Sequence, residues 1–573
     1  MNSSNRRDFL KLCMGSVPGL SLMPRAFAFA QAAQLEAPAG GGESQKKFRK
    51  PDTVDRYIDP LPIPKRLSPE GTEDGEPVYR VRMMEFSQPL HSQLPSTRLW
   101  GYEGQYPGPI LEVPCGKPFR VRWENRLPAK HMFPVDAHLR SAIAPAPEVR
   151  TAPRIEGALE ASTDPPFEDH GFIAGQLAHC RYANRQQATM LWYHDQAPGI
   201  ARLNVQAGLA GMCLLRAEDE ARLGLPAGPY EVPLVLQDRT LDSHGQLVYE
   251  PCFDDGQLAP RGSWGPEFFG DLPVVNGAIY PYLQVEPRRY RLRILNAANF
   301  RFLDLFFNLA SNAADIPAIV SFQSIGSDGG FLRKPAELSQ LLLAPGERAD
   351  LVVDFSGHEG KTVTLFNRAA APYPGWNVIH PVHRALYEWI QFRVTAPLAD
   401  NRPGVRYSLP PAAPMLSEGA ALATRDFVLA DAFDHGGRSL GVEINGKGYD
   451  DPITEKVKAG SIEKWRFVNS SDDAHPMHIQ QGQFQVLHRQ GFDPIALRGG
   501  TVVLVGKIRP AASHENGWKD TAVVHPGEVL TLLVQFSREA GRSAFYSTLL
   551  EPQDRSLMRP FEILPAGHPT TAA

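Results

Sequence analysis

The sequence predicts an all-β protein built from three β-sandwich domains. Proline and glycine are frequent, with 52 and 49 of the 573 residues, and long stretches of helical periodicity are few. This composition favours many short strands joined by turns. A sequence pattern also recurs three times along the chain, and each copy is assigned to one β-sandwich of about 150 residues.

The repeated pattern contains a Gly or Asn-Gly turn, a first strand, a second strand of alternating basic and apolar residues, and a closing Asn. Its copies run from Gly104 to Asn125, from Asn276 to Asn296 and from Asn445 to Asn469. In the second copy, apolar residues alternate with Arg291 and Arg293, so we expect a strand with one face in water. The repeat predicts three related domains.

Composition between the copies indicates where the domains meet. Pro, Ala and Gly cluster at residues 225–230, and Pro and Ala are abundant at residues 401–417. Such stretches are typical of linkers. We therefore predict domains at residues 45–225, 226–400 and 415–565.

The N-terminus resembles an export signal. Residues 5–11 contain paired arginines in a twin-arginine pattern, an apolar stretch follows, and Ala28-Phe29-Ala30 is a candidate cleavage site. An ordinary amphipathic helix is the alternative. We exclude residues 1–30 from the fold and expect the mature protein to act in the periplasm or outside the cell. No later apolar run approaches the ~20 residues that a membrane span requires.

Charge and cysteine content restrict the possible functions. The formal net charge is -4, which gives no basic surface for nucleic acid. Outside the signal, Cys115, Cys180, Cys213 and Cys252 can form disulfides in an oxidising compartment, although the sequence does not determine their pairing. His179 precedes Cys180, and neighbouring strand residues face opposite sides, so we expect Cys180 to be a core thiol or a disulfide partner and not a shared metal ligand.

Six motifs give the chain a specific resemblance to a known family. They are Gln105–Ile110, Leu191–Asp195, Pro233–Arg239, Ile325–Gly330, His475–His478 and Gly517–Thr521. Through them the chain resembles the three-domain multicopper oxidases, in particular the branch of spore-coat laccase and bilirubin oxidase. The resemblance spans most of the mature chain. It implies three cupredoxin-like Greek-key domains, a three-copper cluster between the first and third domains, and one blue copper in the third.

The chain departs from that family at the blue-copper position. Copper selects soft sulfur and nitrogen donors, and a blue copper takes a thiolate and two imidazoles. The motif that should read His-Cys-His is Tyr546-Ser547-Thr548, and Pro552 and Leu557 replace the last histidine and the axial residue. Of the blue-copper ligands only His475 remains, so we expect no blue copper.

The cluster positions retain three histidines. The resemblance places His138 and His478 at the lone type 2 copper and His194 beside it. With His475, these are the candidate metal ligands of the chain. One copper or another transition ion in a mononuclear site is therefore one hypothesis, and the full four-copper complement is not expected.

The second members of the His-x-His pairs are replaced. Residues i and i+2 of a strand face the same side, so such a pair aims two rings at one cluster. Their places here hold Arg140, Gln196 and Gln480. Arg keeps its charge, and like charges about 4 Å apart repel by roughly 4 kcal/mol at an effective dielectric near 20. These side chains either form a new polar pocket for a ligand or fill the vacated space with hydrogen bonds.

Two functions remain as hypotheses. The leading one is an exported relative of the oxidases that keeps the fold as a binding or structural module of the cell envelope, with an unidentified protein or small-molecule partner. In agreement, Gln553 stands where the family carries an acidic residue for proton delivery. The alternative is a metal-dependent oxidoreductase that uses the residual histidines. His380–His383 repeats the His-Pro-x-His spelling away from the ligand positions and is expected in a loop.

Overall fold

Three β-sandwiches follow one another along the chain, as the repeat predicts. The computed structural model describes residues 53–136, 139, 147–159, 161–164, 171–252, 258–260, 262–309, 318–374, 386–399, 407–433 and 439–567. All of them belong to one unit of contacts that spans residues 47–573. Contacts between the sandwiches are therefore contacts within a single body.

Twelve strands of the described chain form the first sandwich. In chain order they are β1 (Gly71–Glu73), β2 (Glu76–Gln88), β3 (Thr97–Tyr102), β4 (Leu111–Pro114), β5 (Phe119–Arg126), β6 (Arg150–Thr151), β7 (Pro153–Glu156), β8 (Ala161–Asp164), β9 (Phe172–Ile173), β10 (Leu177–Tyr182), β11 (Thr189–Asp195) and β12 (Ala210–Arg216). One sheet has the order β1-β2-β5-β10-β8 with β3 beside β2, a second has the order β4-β12-β11-β7, and β6 pairs with β9. The two larger sheets share one core, in which the rings of Trp123 and Tyr193 lie 5.7 Å apart.

The second sandwich contains the next fourteen strands of the described chain. They are β13 (Glu231–Leu241), β14 (Leu247–Val248), β15 (Leu272–Val275), β16 (Ala278–Ile279), β17 (Tyr282–Gln284), β18 (Arg289–Asn296), β19 (Leu303–Asn308), β20 (Ile319–Val320), β21 (Phe322–Ser327), β22 (Gly330–Leu338), β23 (Leu341–Leu343), β24 (Arg348–Asp354), β25 (Thr362–Asn367) and β26 (Glu388–Arg393). One sheet runs β16-β15-β13-β18-β24-β21-β22 with β14 beside β13, and the other runs β17-β26-β25-β19-β20 with β23 beside β19. Their core contains Phe307 and Phe392.

The third sandwich contains the last eleven strands of the described chain. They are β27 (Thr424–Phe433), β28 (Ser439–Ile444), β29 (Lys456–Lys458), β30 (Ile462–Asn469), β31 (His475–Ile479), β32 (Gly482–Phe492), β33 (Leu504–Pro510), β34 (Thr521–Val524), β35 (Glu528–Phe536), β36 (Gly541–Ser547) and β37 (Met558–Leu564). One sheet has the order β28-β27-β30-β35-β32-β33 and the other the order β29-β37-β36-β31-β34. Trp465 and Phe561 meet in their core, with ring centres 5.7 Å apart.

All three sandwiches use the repeated pattern in the same way. The first strand of each copy pairs in parallel with the last strand of its sandwich, in the pairs β4 with β12, β17 with β26 and β29 with β37. The second strand pairs in parallel with β2, β13 or β27 in the other sheet. Both residues of the turns at Asn276-Gly277 and Asn445-Gly446 have positive φ, which Asn and Gly tolerate best. The predicted all-β class with three Greek-key sandwiches is confirmed.

Three short α-helices occur in the described part of the chain, namely α1 (Ala201–Ala207), α2 (Pro494–Arg498) and α3 (Leu550–Arg555). The Asp554 carboxylate in α3 accepts hydrogen bonds from the backbone N–H groups of Ala201 and Arg202 at the start of α1. The first and third sandwiches are therefore joined through their helices. Not one helix among these residues could span a bilayer.

The expectation of a wet face on β18 is wrong. Arg291 and Arg293 are only 2% and 4% exposed. The guanidinium of Arg291 lies 2.6 Å from Asp350, and that of Arg293 lies 2.8 Å from Glu231. Glu220, from the segment that joins the first two sandwiches, also pairs with both arginines. Buried charges require such partners, so the alternation marks an ion-pair network and not contact with solvent.

The expectation for the neighbouring residues of β10 is confirmed. Cys180 is buried in the core of the first sandwich, whereas His179 is exposed. Adjacent strand residues point to opposite faces, which keeps the imidazole and the thiol apart.

Candidate functional site

Two of the predicted metal ligands meet at a buried carboxylate. His194 lies on β11 and Glu156 on the neighbouring strand β7, whose pairing places Glu156 opposite Trp192. His194 Nε2 donates a hydrogen bond to Glu156 Oε2. Nδ1 of His478, from the third sandwich, lies 3.7 Å from Glu156 Oε1. All three side chains are at most 1% exposed, so Glu156 lies between imidazoles of two sandwiches.

Both ring nitrogens of His194 face oxygen atoms. Nε2 contacts the carboxylate of Glu156, and Nδ1 lies 2.9 Å from the backbone oxygen of Asp195. The ring also stacks on Trp192, with centres 3.8 Å apart and planes 17° from parallel. The imidazole is therefore held in one orientation, with neither nitrogen directed at open space.

His478 has one nitrogen among oxygens and one without a partner. Nδ1 lies 3.1 Å from Thr521 Oγ1 and 3.4 Å from Asp520 Oδ1. Nε2 has no hydrogen-bond partner among the described residues. Burial lowers the pKa of His478, but the carboxylates of Glu156 and Asp520 outweigh burial and raise this pKa above its usual value. The site thus favours the protonated imidazole.

The second sandwich reaches the same region through Arg348. Its Nη1 donates to Asp520 Oδ1 at 2.8 Å, and its Nε donates to the backbone oxygen of Met190 at 3.0 Å. Burial raises the pKa of Asp520, but Arg348 and His478 lower it far below its usual range. Arg348 is fully buried. Residues from all three sandwiches therefore meet in one charged network.

Three side chains at positions predicted to have lost imidazoles, Gln196, Gln480 and Tyr546, hydrogen-bond to one another. Gln196 Nε2 donates to the hydroxyl of Tyr546, and Gln480 Nε2 donates to Gln196 Oε1 at 2.8 Å. Tyr546 lies directly opposite His478 in the pairing of β36 with β31. Gln196 and Gln480 thus take part in hydrogen bonds between the first and third sandwiches.

Several predicted residues lie outside the described part of the chain. They are His138, Arg140 and the motif His380–His383. Leu139, between the first two, is described and buried. The predicted three-histidine set is therefore observed only at His194 and His478. Within the described residues, no group of three or more His, Cys, Asp or Glu side chains is arranged to hold a metal ion.

His475 lies apart from this network. Its Nε2 is 2.9 Å from Ser471 Oγ, and its Nδ1 is buried without a hydrogen-bond partner in the described chain. Burial lowers the pKa of His475 to about 3, so the ring is neutral. Ser547 is buried at the end of β36, where its N–H donates to the backbone oxygen of Leu557 at 3.1 Å. In the pairing of β36 with β31, Ser547 lies opposite Met477, two residues after His475.

Glu156 is not predictable as a site residue from the sequence. It belongs to no motif, and its proximity to His194 depends on the pairing of β7 with β11, which a single sequence does not reveal. Asp520 lies in the motif Gly517–Thr521, but its partner Arg348 is 172 residues away. A buried carboxylate beside His194 and His478 is therefore recognisable only from the fold.

Comparisons with known proteins agree with this architecture. The family model described as Multicopper oxidase matches residues 422–567. The chain is 36% identical to the laccase of Bacillus subtilis (strain 168) over 525 residues, covering 89% of this chain and 99% of that protein. It is 35% identical to a laccase of Haloferax volcanii, covering 89% and 86%. A solved structure of the McoA multicopper oxidase 2F4 variant from Aquifex aeolicus has a TM-score of 0.69 at 25% identity, covering 88% and 99%.

The relatives and the solved structure cover 88–89% of the chain and agree with the three-sandwich topology. They confirm the predicted cupredoxin-like domains and the resemblance noted in the sequence motifs. The chain belongs to the multicopper oxidase family.

Proposed function

We propose that this chain is an exported member of the family that does not perform four-copper oxidase chemistry and acts as a binding or structural module of the cell envelope. The observation that carries the proposal is the buried carboxylate of Glu156, which engages His194 and approaches His478. The two histidines stand at positions that bind copper in the family, and here their ring nitrogens form hydrogen bonds with side chains of the protein.

The residues at the blue-copper position do not fit a copper ion. Such an ion requires a thiolate and two imidazoles. Here the thiolate position holds Ser547, the last histidine position holds Pro552, and the axial position holds the buried Leu557. His475 supplies one imidazole, and a hydroxyl is a hard and weak donor compared with a thiolate. Entry of electrons from a substrate is therefore not supported.

The described residues at the cluster position do not fit three copper ions either. Both nitrogens of His194 face oxygen atoms, and Gln196, Gln480 and Tyr546 offer an amide or a phenol in place of imidazole. These groups are hydrogen-bonded partners of one another. Because a satisfied buried network rigidifies a structure, these contacts join the first and third sandwiches without a metal.

Export is supported by the N-terminal pattern. The paired arginines, the apolar stretch and the small residues before position 31 follow the order of a twin-arginine signal. We infer that the protein acts in the periplasm or outside the cell. A fold alone does not define activity, so the role as a module rests on the site residues and not on the fold.

A second candidate function is a mononuclear metal-dependent oxidoreductase. The observation that favours it is Nε2 of His478, which is buried and lacks a partner among the described residues. With His138 and His194 it completes the set that the sequence predicts. One copper or another transition ion is the cofactor of this alternative.

Elemental analysis of the full chain, purified after copper loading, separates the two functions. The module predicts much less than one metal ion per chain and a thermal unfolding midpoint that copper does not change. The oxidoreductase predicts one metal ion per chain, lost in both His138→Ala and His478→Ala. His179→Ala, at an exposed histidine, is the matched control and should leave the metal content unchanged.

A further inference from the structure

The outer strand of one sheet in the third sandwich presents an exposed edge. Strand β33 is last in its sheet and pairs with β32 on its inner side. Six of its seven residues are exposed, and Leu504 is half-buried. Helix α2 and residues 499–503 precede it. We call residues 494–510 the β33 edge.

The β33 edge is unusually apolar for an exposed segment. Four aliphatic side chains are exposed on it, at 70%, 41%, 40% and 54%, namely Ile495, Val503, Val505 and Ile508. The alternate residues Val502 and Leu504 pack inward against a buried cluster that includes Phe492. Of the four exposed residues, Val505 and Ile508 lie in β33 itself, Val503 directly precedes the strand and Ile495 lies in helix α2. The edge therefore packs some aliphatic side chains against its own core and exposes others to solvent. Contiguous exposed apolar surface is typical of interaction sites.

The charge of this edge has one sign. Residues 494–510 contain Arg498, Lys507 and Arg509 but no Asp or Glu. Arg509 pairs with Glu528 of β35. Arg498 and Lys507 form no ion pair among the described residues and are exposed. The edge thus combines outward aliphatic side chains with two uncompensated positive charges.

We propose that the β33 edge binds an extended, acidic segment of a partner protein by strand addition. The unpaired backbone N–H and C=O groups of an edge strand are a template for another strand, and alternate side chains supply specificity. Carboxylates on the added strand would complement Arg498 and Lys507. This inference rests on the proposed function, because it names the partner chemistry of a binding module.

The same features disfavour two other occupants. A second copy of the chain would bring the positive charges of two β33 edges together, which costs free energy. A lipid surface would leave the backbone groups of the strand without hydrogen-bond partners in hydrocarbon. Gly506, with φ of +76°, lies beside a β-bulge that bends the strand. Because the bend disfavours pairing with any flat strand, the complementary charges are needed to select the partner.

Fluorescence anisotropy with a labelled nine-residue peptide of alternating Glu and Val tests the proposal on the full chain. We expect saturable binding that weakens as salt is added. Two control peptides should each bind at least about tenfold more weakly. One carries Lys in place of Glu and lacks the matching charge, and the other carries N-methyl groups on alternate residues and lacks the strand hydrogen bonds.

Variants locate the binding. Lys507→Glu combined with Ile508→Asp should weaken peptide binding about tenfold or more, with an unchanged unfolding midpoint because both residues are exposed. Lys130→Glu, at an exposed residue of the first sandwich, should leave binding unchanged. Absence of binding, or binding that the double variant retains, overturns the proposal.

Two further outcomes would also overturn it. They are stronger binding to phosphatidylglycerol vesicles than to the peptide, and a dimer in sedimentation that Ile508→Asp dissociates. Metal content tests the proposed function and does not involve the β33 edge. A failure of one inference is therefore distinguishable from a failure of the other.

Discussion

Glu156 of the first sandwich lies 3.7 Å from Nδ1 of His478 in the third, and neither side chain is more than 1% exposed. The same carboxylate accepts a hydrogen bond from His194. Burial raises the pKa of Glu156, but the two imidazoles outweigh burial and lower it below its usual value. A carboxylate thus joins the first and third sandwiches at two of the histidines predicted to be metal ligands.

Replacement of this carboxylate should strongly destabilise the fold. Glu156→Gln removes the carboxylate charge that raises the pKa of His478, and loss of one partner of a buried ion pair costs about 3–5 kcal/mol. We expect that decrease in the free energy of unfolding by denaturant titration. Glu124→Gln, in a partly exposed pair with Arg126, should cost less than about 1 kcal/mol. Equal effects of the two substitutions would contradict this role of Glu156.

The residue after Glu156 must lack a side chain. Gly157 has φ of +87°, and a Cβ atom there would lie 2.4 Å from Asp520 Oδ2 and 2.8 Å from Arg348 Nη2. Gly157→Ala should therefore disturb the Arg348 ion pair and destabilise the protein by more than about 3 kcal/mol. At Gly175 φ is +84° but no atom lies within 4 Å of the added Cβ, so Gly175→Ala should cost only about 1–2 kcal/mol. Thermal unfolding of the two variants separates two effects. Backbone strain is present in both variants, whereas steric overlap is present only in Gly157→Ala.

Acid should weaken the fold through His131. Burial lowers the pKa of His131 to about 4, from an ordinary value of 6.5, and nearby Arg202 and Arg150 act in the same direction. The unfolded chain therefore binds a proton more readily between these values. The stability contributed by the neutral imidazole is complete above pH 6.5 and is lost as the pH falls to about 4, by about 3 kcal/mol.

The variant His131→Gln isolates this titration. It keeps a polar group beside Asn204, which lies 3.1 Å from Nε2 of His131, but it does not titrate. The difference in unfolding free energy between the native chain and this variant should shrink by about 3 kcal/mol from pH 7 to pH 4. A difference that does not change with pH would exclude His131 as the acid-sensitive group.

A blue copper should be recoverable by two substitutions. The N–H of Ser547 donates to Leu557, whose own N–H donates to Pro552, so positions 547 and 552 belong to one hydrogen-bonded loop. Ser547→Cys combined with Pro552→His would add a thiolate and a second imidazole to His475, the donor set of a blue copper. We expect blue absorption after copper loading in the double variant and none in either single variant. A colourless double variant would show that these positions do not converge.

The fold was largely predictable from the sequence. The recurring turns and alternating strands indicated three related sandwiches, because positive φ at Asn276-Gly277 and Asn445-Gly446 favours those residue types wherever they occur. The environment of Arg291 and Arg293 was not predictable. Their carboxylate partners lie on other elements, and an arginine that faces water and one that faces Glu231 give the same local pattern.

Two histidines of the site, His194 and His478, were predictable from the sequence, but the carboxylate between them was not. The residue types at Ser547, Gln196 and Gln480 are read directly from the sequence, and the loss of copper ligands inferred from them stays a prediction. The contacts that the two histidines make depend on the fold. Glu156 approaches His478 from another sandwich, and no local sequence pattern predicts a contact between residues so far apart in the chain.

Oxygen uptake by the copper-loaded full chain, measured with a phenol as electron donor, decides whether the chain can act as an oxidase. We expect a rate no higher than that of copper alone in the same buffer, because Ser547 offers no thiolate and Glu156 engages His194. Phenol-dependent oxygen uptake above that background, accompanied by blue absorption, would contradict it.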